Sequence, residues 1–411
     1  MFKSPRRHHP YRSKSLSKTV LFFPGLKVLK YFQSFIASWR GCIDLRALPL
    51  EDKNLVFYSE GGAYHGFLLP VISHLTEDHN LQICYLTSDQ NDPLLSEPPE
   101  NVKSIYVGWG SAMIFAFQTL KAKVLVMTMP DLHSFHIKRS RYPVHYIYLQ
   151  HSLVSSHMVY KPGAFDHFDT ILCSGSHHVS EIREWEKLNN LPEKNLYEHG
   201  YAPLDTILDM VSSQPLISKP ATSNYNVLVA PSWGSGGLIE NGARELVGSL
   251  LDAGHYVTLR LHPQSRIKSA KNVKLLAAIF DSHPNFEMDM DNAIFESLIK
   301  ADVLISDWSG VSLEFAFGLE RPVIFIDVPK KINNPRYTEL ENIPIEISAR
   351  DKIGVILGQD KLDKVTDVVT EIMEDSEKFV TQIRALRDKT VFNIGQSAKR
   401  GSELIYDIVK K

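Results

Sequence analysis

The sequence predicts an α/β protein built from two facing Rossmann-like domains, and three observations carry that expectation. Short apolar runs bounded by turn residues recur between helical stretches, the pattern of a parallel sheet covered on both faces. The alternation stops at a Ser-, Pro- and Thr-rich stretch, residues 211–225, and then restarts. Twice a strand passes straight into a glycine loop and then a helix, over 54–75 and again over 227–253. Open parallel sheets bind ligands at the carboxyl ends of their strands, so two that face each other share one cleft.

In chain order, residues 1–18 are basic and polar and read as a disordered arm. Over 26–40, Val28, Leu29, Phe32, Phe35, Ile36 and Trp39 recur at three- and four-residue spacing, with Lys27, Lys30, Ser34 and Arg40 elsewhere on the wheel. That is an amphipathic helix with basic flanks, suited either to an anionic membrane surface or to packing on its own domain. Strands are predicted at 54–59, 81–87, 102–107, 124–128, 144–149 and 170–174, with a helix over 64–75 after Gly61 and Gly62. Residues 211–225 read as an interdomain linker. Beyond it come strands at 227–230, 256–261, 303–306 and 323–327 and a helix over 241–253. One long helix over 376–410 returns across the domain boundary. The expected division is an arm and amphipathic helix in 1–50, one domain in 51–215 and a second in 222–411.

The length, 411 residues, suits two domains of common size. With 44% hydrophobic and 22% charged residues the chain is ordinary for a globular protein. Charge is unevenly spread. Residues 1–46 hold ten basic residues against one acid, a net +9, and since the whole chain is −2 the remainder is −11. A basic arm on an acidic body points to an anionic surface, through residues 1–40, as partner. It argues against nucleic acid, whose phosphate backbone needs a broad basic face. Cys42, Cys84 and Cys173 are isolated, so neither a disulfide framework nor a zinc knuckle is expected, and a reducing cytosol fits. No apolar run reaches the ~18 residues of a membrane span. Pro24 and Gly25 break the apolar stretch Val20–Phe23, so no secretory pattern is recognised.

Four segments carry chemistry. In 303–317, VLISDWSGVSLEFAF, a buried strand ends at Asp307 and a tight turn opens a helix. Backbone N–H groups of Ser309, Gly310, Val311 and Ser312, two hydroxyls and a positive dipole end make an anion site suited to phosphate or diphosphate. Glu314, one turn in, could accept from a sugar or glycerol hydroxyl. The competing reading is capping by Ser309, with Glu314 solvated. In 227–237, VLVAPSWGSGG, Ser232, Gly234, Ser235 and Gly236 let a backbone approach phosphate or ribose closely. No GK[ST] follows, so ATP hydrolysis is not supported. Arg260 and His262, in LRLHPQ, are two apart at a strand end and would share a face toward a leaving diphosphate, or simply end a surface strand. In LQHSLVSSHMVYK, His151 follows a strand on the cleft side, where imidazole is the natural base for an acceptor hydroxyl. Among 17 histidines, a structural role competes for each. Lys161 lies nearby, and Gly61, Gly62 and His65 form a loop in the first domain suited to an acceptor. Asp289-Met290-Asp291 is a metal-binding DxD in outline, but Asp291 reads better as the cap of a helix over 293–300. No metal site is indicated and no cofactor is expected.

These residues resemble a known family. ISDWSGVSLEFA followed by RPVIFID resembles the TDYSS…D block and following strand of the CDP-glycerol glycerophosphotransferases, the teichoic-acid polymerases and primases. RLHP, QHS…YK and GYAPLD resemble further elements of that family, in order over roughly residues 145–330. Ser152, Gly310 and Glu314 depart from its Gly, second Ser and later Asp. The resemblance implies a GT-B fold, a cytoplasmic enzyme peripheral on the inner face of the membrane, and transfer of glycerol phosphate, or a related polyol phosphate, from CDP-glycerol or a similar donor to a glycan or lipid-linked acceptor. It implies His151 as the acceptor-activating base. It also implies Arg260 and His262 at the diphosphate, and Ser309, Gly310 and Ser312 at the donor phosphate. The same block also resembles the nucleotide site of UDP-sugar 2-epimerases. Transfer of a sugar from a nucleotide sugar, and a non-catalytic carbohydrate- or lipid-binding role, stand as alternatives.

Overall fold

The computed structural model describes residues 24–134, 137–213, 224–290 and 295–411. Strands form where the chain runs apolar, in β1 (Leu55–Ser59), β2 (Ile83–Thr87), β4 (Val124–Met127), β5 (His145–Leu149) and β6 (Thr170–Cys173), and at two edges of mixed polarity, β3 (Val102–Tyr106) and β7 (Asn195–Glu198). They build a seven-stranded sheet in the order β3-β2-β1-β4-β5-β6-β7, parallel throughout. A second sheet takes β8 (Asn226–Val229), β9 (Tyr256–Arg260), β10 (Phe286–Asp289), β11 (Val303–Ser306), β12 (Val323–Asp327) and β13 (Gly354–Gly358). Its order is β10-β9-β8-β11-β12-β13, again all parallel. Interior strands such as β1, β4 and β11 are buried along their whole length, as coverage of both faces requires.

Helices α1 (Pro24–Ala47), α2 (His65–Glu77), α3 (Ser111–Thr119), α4 (Ser176–Leu188) and α5 (Ala202–Ser212) precede the second sheet. Then come α6 (Ala243–Asp252), α7 (Pro263–Lys268), α8 (Ala270–Phe280), α9 (Glu296–Lys300), α10 (Val311–Leu319), α11 (Ile345–Ser348), α12 (Arg350–Ile353), α13 (Val365–Glu374), α14 (Ser376–Thr390) and α15 (Ser397–Lys410). In each sheet the order reverses direction between two strands, β1 and β4 in the first, β8 and β11 in the second. Such a switch point opens a crevice at the strands' carboxyl ends.

The helix expected over 26–40 is longer, because Cys42 and Leu45 continue its apolar stripe and are buried with Leu48 in the first core. The buried Lys53 ammonium then donates to the carbonyls of Leu45 (3.0 Å) and Arg46 (3.2 Å), closing the helix C-terminus. Trp39 packs on Phe115, while Phe32, Phe35 and Ile36 stay exposed. The helix expected over 376–410 is two. Val391 leaves the helical region, Asn393 and Gly395 take φ of 46° and 78°, and the chain turns before α15. Return to the first sheet is left to α15, whose Leu404 and Ile405 are buried with Leu68, Val71 and Leu75 of α2. The linker starts later than 211, since Val211 and Ser212 finish α5. Residues 1–23, residues 214–223 of the linker and Asp291 lie outside the described residues, as do the side chains of Lys27, Val28, Leu29 and Lys30. Cys42, Cys84 and Cys173 are buried and unpaired.

Candidate active site

His151 follows β5, and its imidazole stands among four rings: Tyr64, Phe67, Tyr148 and Tyr160, with centroids 5.9, 6.0, 6.2 and 5.9 Å away, all near edge-on. The Tyr148 hydroxyl lies 2.8 Å from Nδ1. Burial in this cage pushes the imidazole down to about 4, against the opposing pull of the Thr128 backbone. The group is therefore neutral at pH 7 and able to take a proton. Glu60, just past β1, belongs to the same neighbourhood: burial raises its carboxyl, opposed by Tyr64.

Across from it, β11 ends at Asp307 and α10 opens after the turn. Asp307 was expected among the donor contacts, but its buried carboxylate is already committed. Oδ1 accepts from the amides of Ser232 and Trp308, both at 2.6 Å, and Oδ2 accepts from Leu238 at 3.2 Å. It braces the 232–238 loop to the β11 turn across the switch point, a positioning role. Capping by Ser309 is not observed either: no side chain caps α10. The Ser312 hydroxyl turns back to the Ser309 carbonyl at 2.6 Å, so Ser312 offers no free hydroxyl proton. The backbone N–H groups of Ser309, Gly310 and Val311 find no acceptor among the described residues. They remain as donors at the positive end of a nine-residue helix.

That turn meets the His151 segment. A Cβ placed on Gly310 would lie 3.2 Å from Ser152 Oγ and 3.3 Å from Val154 Cγ1, so a side chain there would press on both neighbours. The contact continues inward. Tyr201 donates to Glu314 at 2.5 Å, and the Tyr201 ring lies 5.8 Å from Phe67, itself against His151. Burial raises the Glu314 carboxyl, opposed by the Tyr201 hydroxyl and the Arg260 charge.

The remaining expected residues divide. Ser232 is buried and spends its amide on Asp307, while Gly234, Ser235 and Gly236 form the outer part of the loop, with Gly234 at φ 136°. Arg260 and His262 do not share a strand face, because β9 ends at Arg260 and His262 caps α7. Arg260 is buried beside Ser297 (2.8 Å) and Asp289 (3.6 Å), so its charge is balanced within the protein; the same pairing takes up the first carboxylate of the DxD outline. His262 Nδ1 accepts from the Gln264 amide at 3.1 Å. Burial, with Lys331 and Lys268 beside it, holds the ring down to about 4. Nε2 therefore carries the proton of a neutral ring and is a donor. His65 is held by Asp92 (3.0 Å) and Tyr85 (3.2 Å), a structural engagement. Lys161 is exposed and pairs with Asp131 at 3.8 Å. Gly61, at φ 151°, shapes the turn into Gly62 and α2. Among the described residues no group of three or more His, Cys, Asp or Glu could hold a metal ion.

Sequence reasoning passed over Glu60, Tyr148, Tyr201, Trp233, Lys268 and Lys331. The signal for Trp233 was present in VLVAPSWGSGG, where an aromatic ring interrupts small residues. The lysines carry no local signal, since they arrive from separate elements.

Two parallel sheets with facing switch points, a glycine loop and an amide-lined helix start define an α/β protein of the GT-B fold. The chain belongs to the CDP-glycerol:poly(glycerophosphate) glycerophosphotransferase family, a transferase family whose sequence model matches residues 45–332. Solved structures share the fold at low identity. The UDP-GlcNAc 2-epimerase of Neisseria meningitidis, bound to UDP-GlcNAc, is 12% identical with a TM-score of 0.56, over 87% of this chain and 99% of that one. The UDP-N-acetylglucosamine 2-epimerase of Rickettsia bellii is 14% identical with a TM-score of 0.56, over 87% and 96%. MnaA of S. aureus with UDP is 13% identical with a TM-score of 0.54, over 87% and 95%. Comparison with curated proteins gives no match.

Proposed function

We propose that the chain moves glycerol phosphate, or a related polyol phosphate, from a CDP-linked donor to a cell-envelope glycan or lipid-linked acceptor. One observation carries the reading: the unsatisfied amide turn at the start of α10 abuts the segment that bears the neutral imidazole of His151. The second sheet, in 222–411, takes the donor, whose diphosphate lies on the amides of Ser309, Gly310 and Val311, with His262 Nε2–H as a further donor. The first sheet, in 51–215, presents the acceptor hydroxyl to His151. His151 takes that proton as the oxygen attacks the β-phosphorus. The new P–O bond forms, the bond to the bridging oxygen breaks, and CMP leaves with that oxygen. Positioning and charge neutralisation supply most of the acceleration, as in other phosphoryl transfers. The exposed Phe32, Phe35 and Ile36 of α1, next to a basic arm, support docking on the anionic inner face of a membrane. No helix among the described residues is long and apolar enough to cross one.

Incubation with CDP-glycerol and an envelope acceptor is expected to release CMP. His151→Gln is expected to slow release by about 10²- to 10⁴-fold while leaving CDP binding intact. Absence of CMP from every CDP-polyol would overturn the reading. A second reading, glycosyl transfer from a nucleotide sugar, draws on the fold shared with UDP-bearing structures. It would be favoured by thermal stabilisation with UDP-sugars and none with CDP-polyols.

A further inference from the structure

A basic cluster beside the proposed donor turn is unaccounted for by the sequence motifs. Trp233 extends from the β8 loop next to Ser232, whose amide is braced by Asp307. The Lys268 ammonium, at the end of α7, lies 3.8 Å from the centre of the indole. The Lys331 ammonium, on the chain after β12, lies at the same 3.8 Å. Both ammoniums therefore sit within cation–π distance of one ring. The His262 ring stands 6.0 Å from the same indole, and its proton affinity is depressed by both lysines, which places all three basic side chains together. Neither lysine pairs with a carboxylate among the described residues. Asp307 attracts Lys331 but has its oxygens on three amides. Burial, reinforced by Lys268 and opposed by Asp307, lowers Lys331 to about 8.

Two ammoniums with a single carboxylate, already held by three amides, to offset them at the mouth of a switch point are unfavourable in isolation, and an anion relieves them. The cation–π contacts hold each ammonium in place meanwhile. We infer that Lys268 and Lys331, gathered on the indole of Trp233, form a cationic clamp that grips the diphosphate of a nucleotide donor, completing the anion site begun by the α10 amides and His262. The clamp reads phosphate charge and not the base, so it rests on the donor-site reading only for the donor's identity.

Binding of CDP, CMP and inorganic pyrophosphate is measured by calorimetry on the full chain and on Lys268→Met, Lys331→Met, the double variant and Lys331→Arg, with thermal melts to establish that each is folded. Loss of a charge-assisted contact predicts about 10- to 100-fold weaker CDP binding for each Met variant, a smaller loss for CMP, and recovery in Lys331→Arg. Pyrophosphate is expected to change the tryptophan emission of the parent chain and not of Trp233→Phe. A parent chain that binds CDP and a folded double variant that binds it equally well would overturn the clamp and leave the proposed function standing. Pyrophosphate binding that needs both lysines, with no binding of any cytidine nucleotide, would uphold the clamp and remove the CDP donor.

Discussion

A histidine acts as a base at neutral pH only while it is unprotonated, and the cage around His151 secures that state. The four rings crowd water from much of the half-buried imidazole, so the charged form is disfavoured. An exposed histidine would lose half its base form near pH 6.5; His151, at about 4, keeps it. The acid limb of kcat/KM is accordingly expected near pH 4, in initial rates taken before unfolding sets in. A limb near 6.5 would show that His151 is not the group that accepts the proton. His151 was legible in the sequence because a histidine just past a buried strand falls at the cleft edge. The Ser309–Gly310 turn was legible because strand, tight turn and helix are local events. Asp307 was misread because a carboxylate at a strand end looks the same in sequence whether it faces a ligand or a backbone amide. Arg260 was misread likewise, since its partner Ser297 lies on another element. Lys268 and Lys331 were out of reach, because the indole that gathers them comes from a third part of the chain.

At the scale of elements, the strands that the sequence did not reveal are β7, β10 and β13, and each is a sheet edge. An edge strand is covered on fewer sides, so its residues need not be apolar: NLYE in β7 and FEMD in β10 carry charge where interior strands carry Val and Ile. The split between α14 and α15 was hidden because helical periodicity persists on both sides of a short turn. Glycine also sets how closely helices approach. In α10, a Cβ on Gly318 would lie 2.5 Å from Ile207 Cγ2 and 3.2 Å from Ile207 Cβ, on α5. Gly318→Ala is therefore expected to force α10 off α5 and cost about 1–3 kcal/mol, read as a lower denaturant midpoint at unchanged slope. An unchanged midpoint would show that the α5–α10 contact yields freely.

Across the whole molecule, the segment after His151 is tied to both sheets by buried polar contacts. Ser155 gives its amide (2.9 Å) and hydroxyl (2.7 Å) to Glu346 of α11. Ser156 gives both to Glu181 of α4 at 2.6 and 2.7 Å. Asn334 donates to the His157 carbonyl at 2.9 Å. His157 is raised by Glu181 against its burial, whereas two other buried histidines are neutral: burial holds His178 down to about 3 and His199 to about 4. Unfolded, each would bind a proton below about 6.5. The unfolded state then binds more protons than the native one, so this contribution to stability is complete above pH 6.5 and lost as pH falls toward 3 to 4. Glu181, held down to about 2 by His157 and its neighbours despite its burial, acts in the same direction below its ordinary range. The thermal midpoint is expected to fall steadily from pH 6.5 to 4, and a flat profile over that interval would contradict the buried neutral state.

The placement of α15 bears on how the chain acquires its shape during synthesis. The helix that seals the outer layer of the first sheet is encoded after the entire second sheet. The earlier lobe emerges from the ribosome with the α2 surface that Leu404 and Ile405 will cover still bare. It cannot reach its finished form until the later lobe has been translated, so the vectorial, one-lobe-at-a-time maturation common in multidomain chains is replaced here by joint completion.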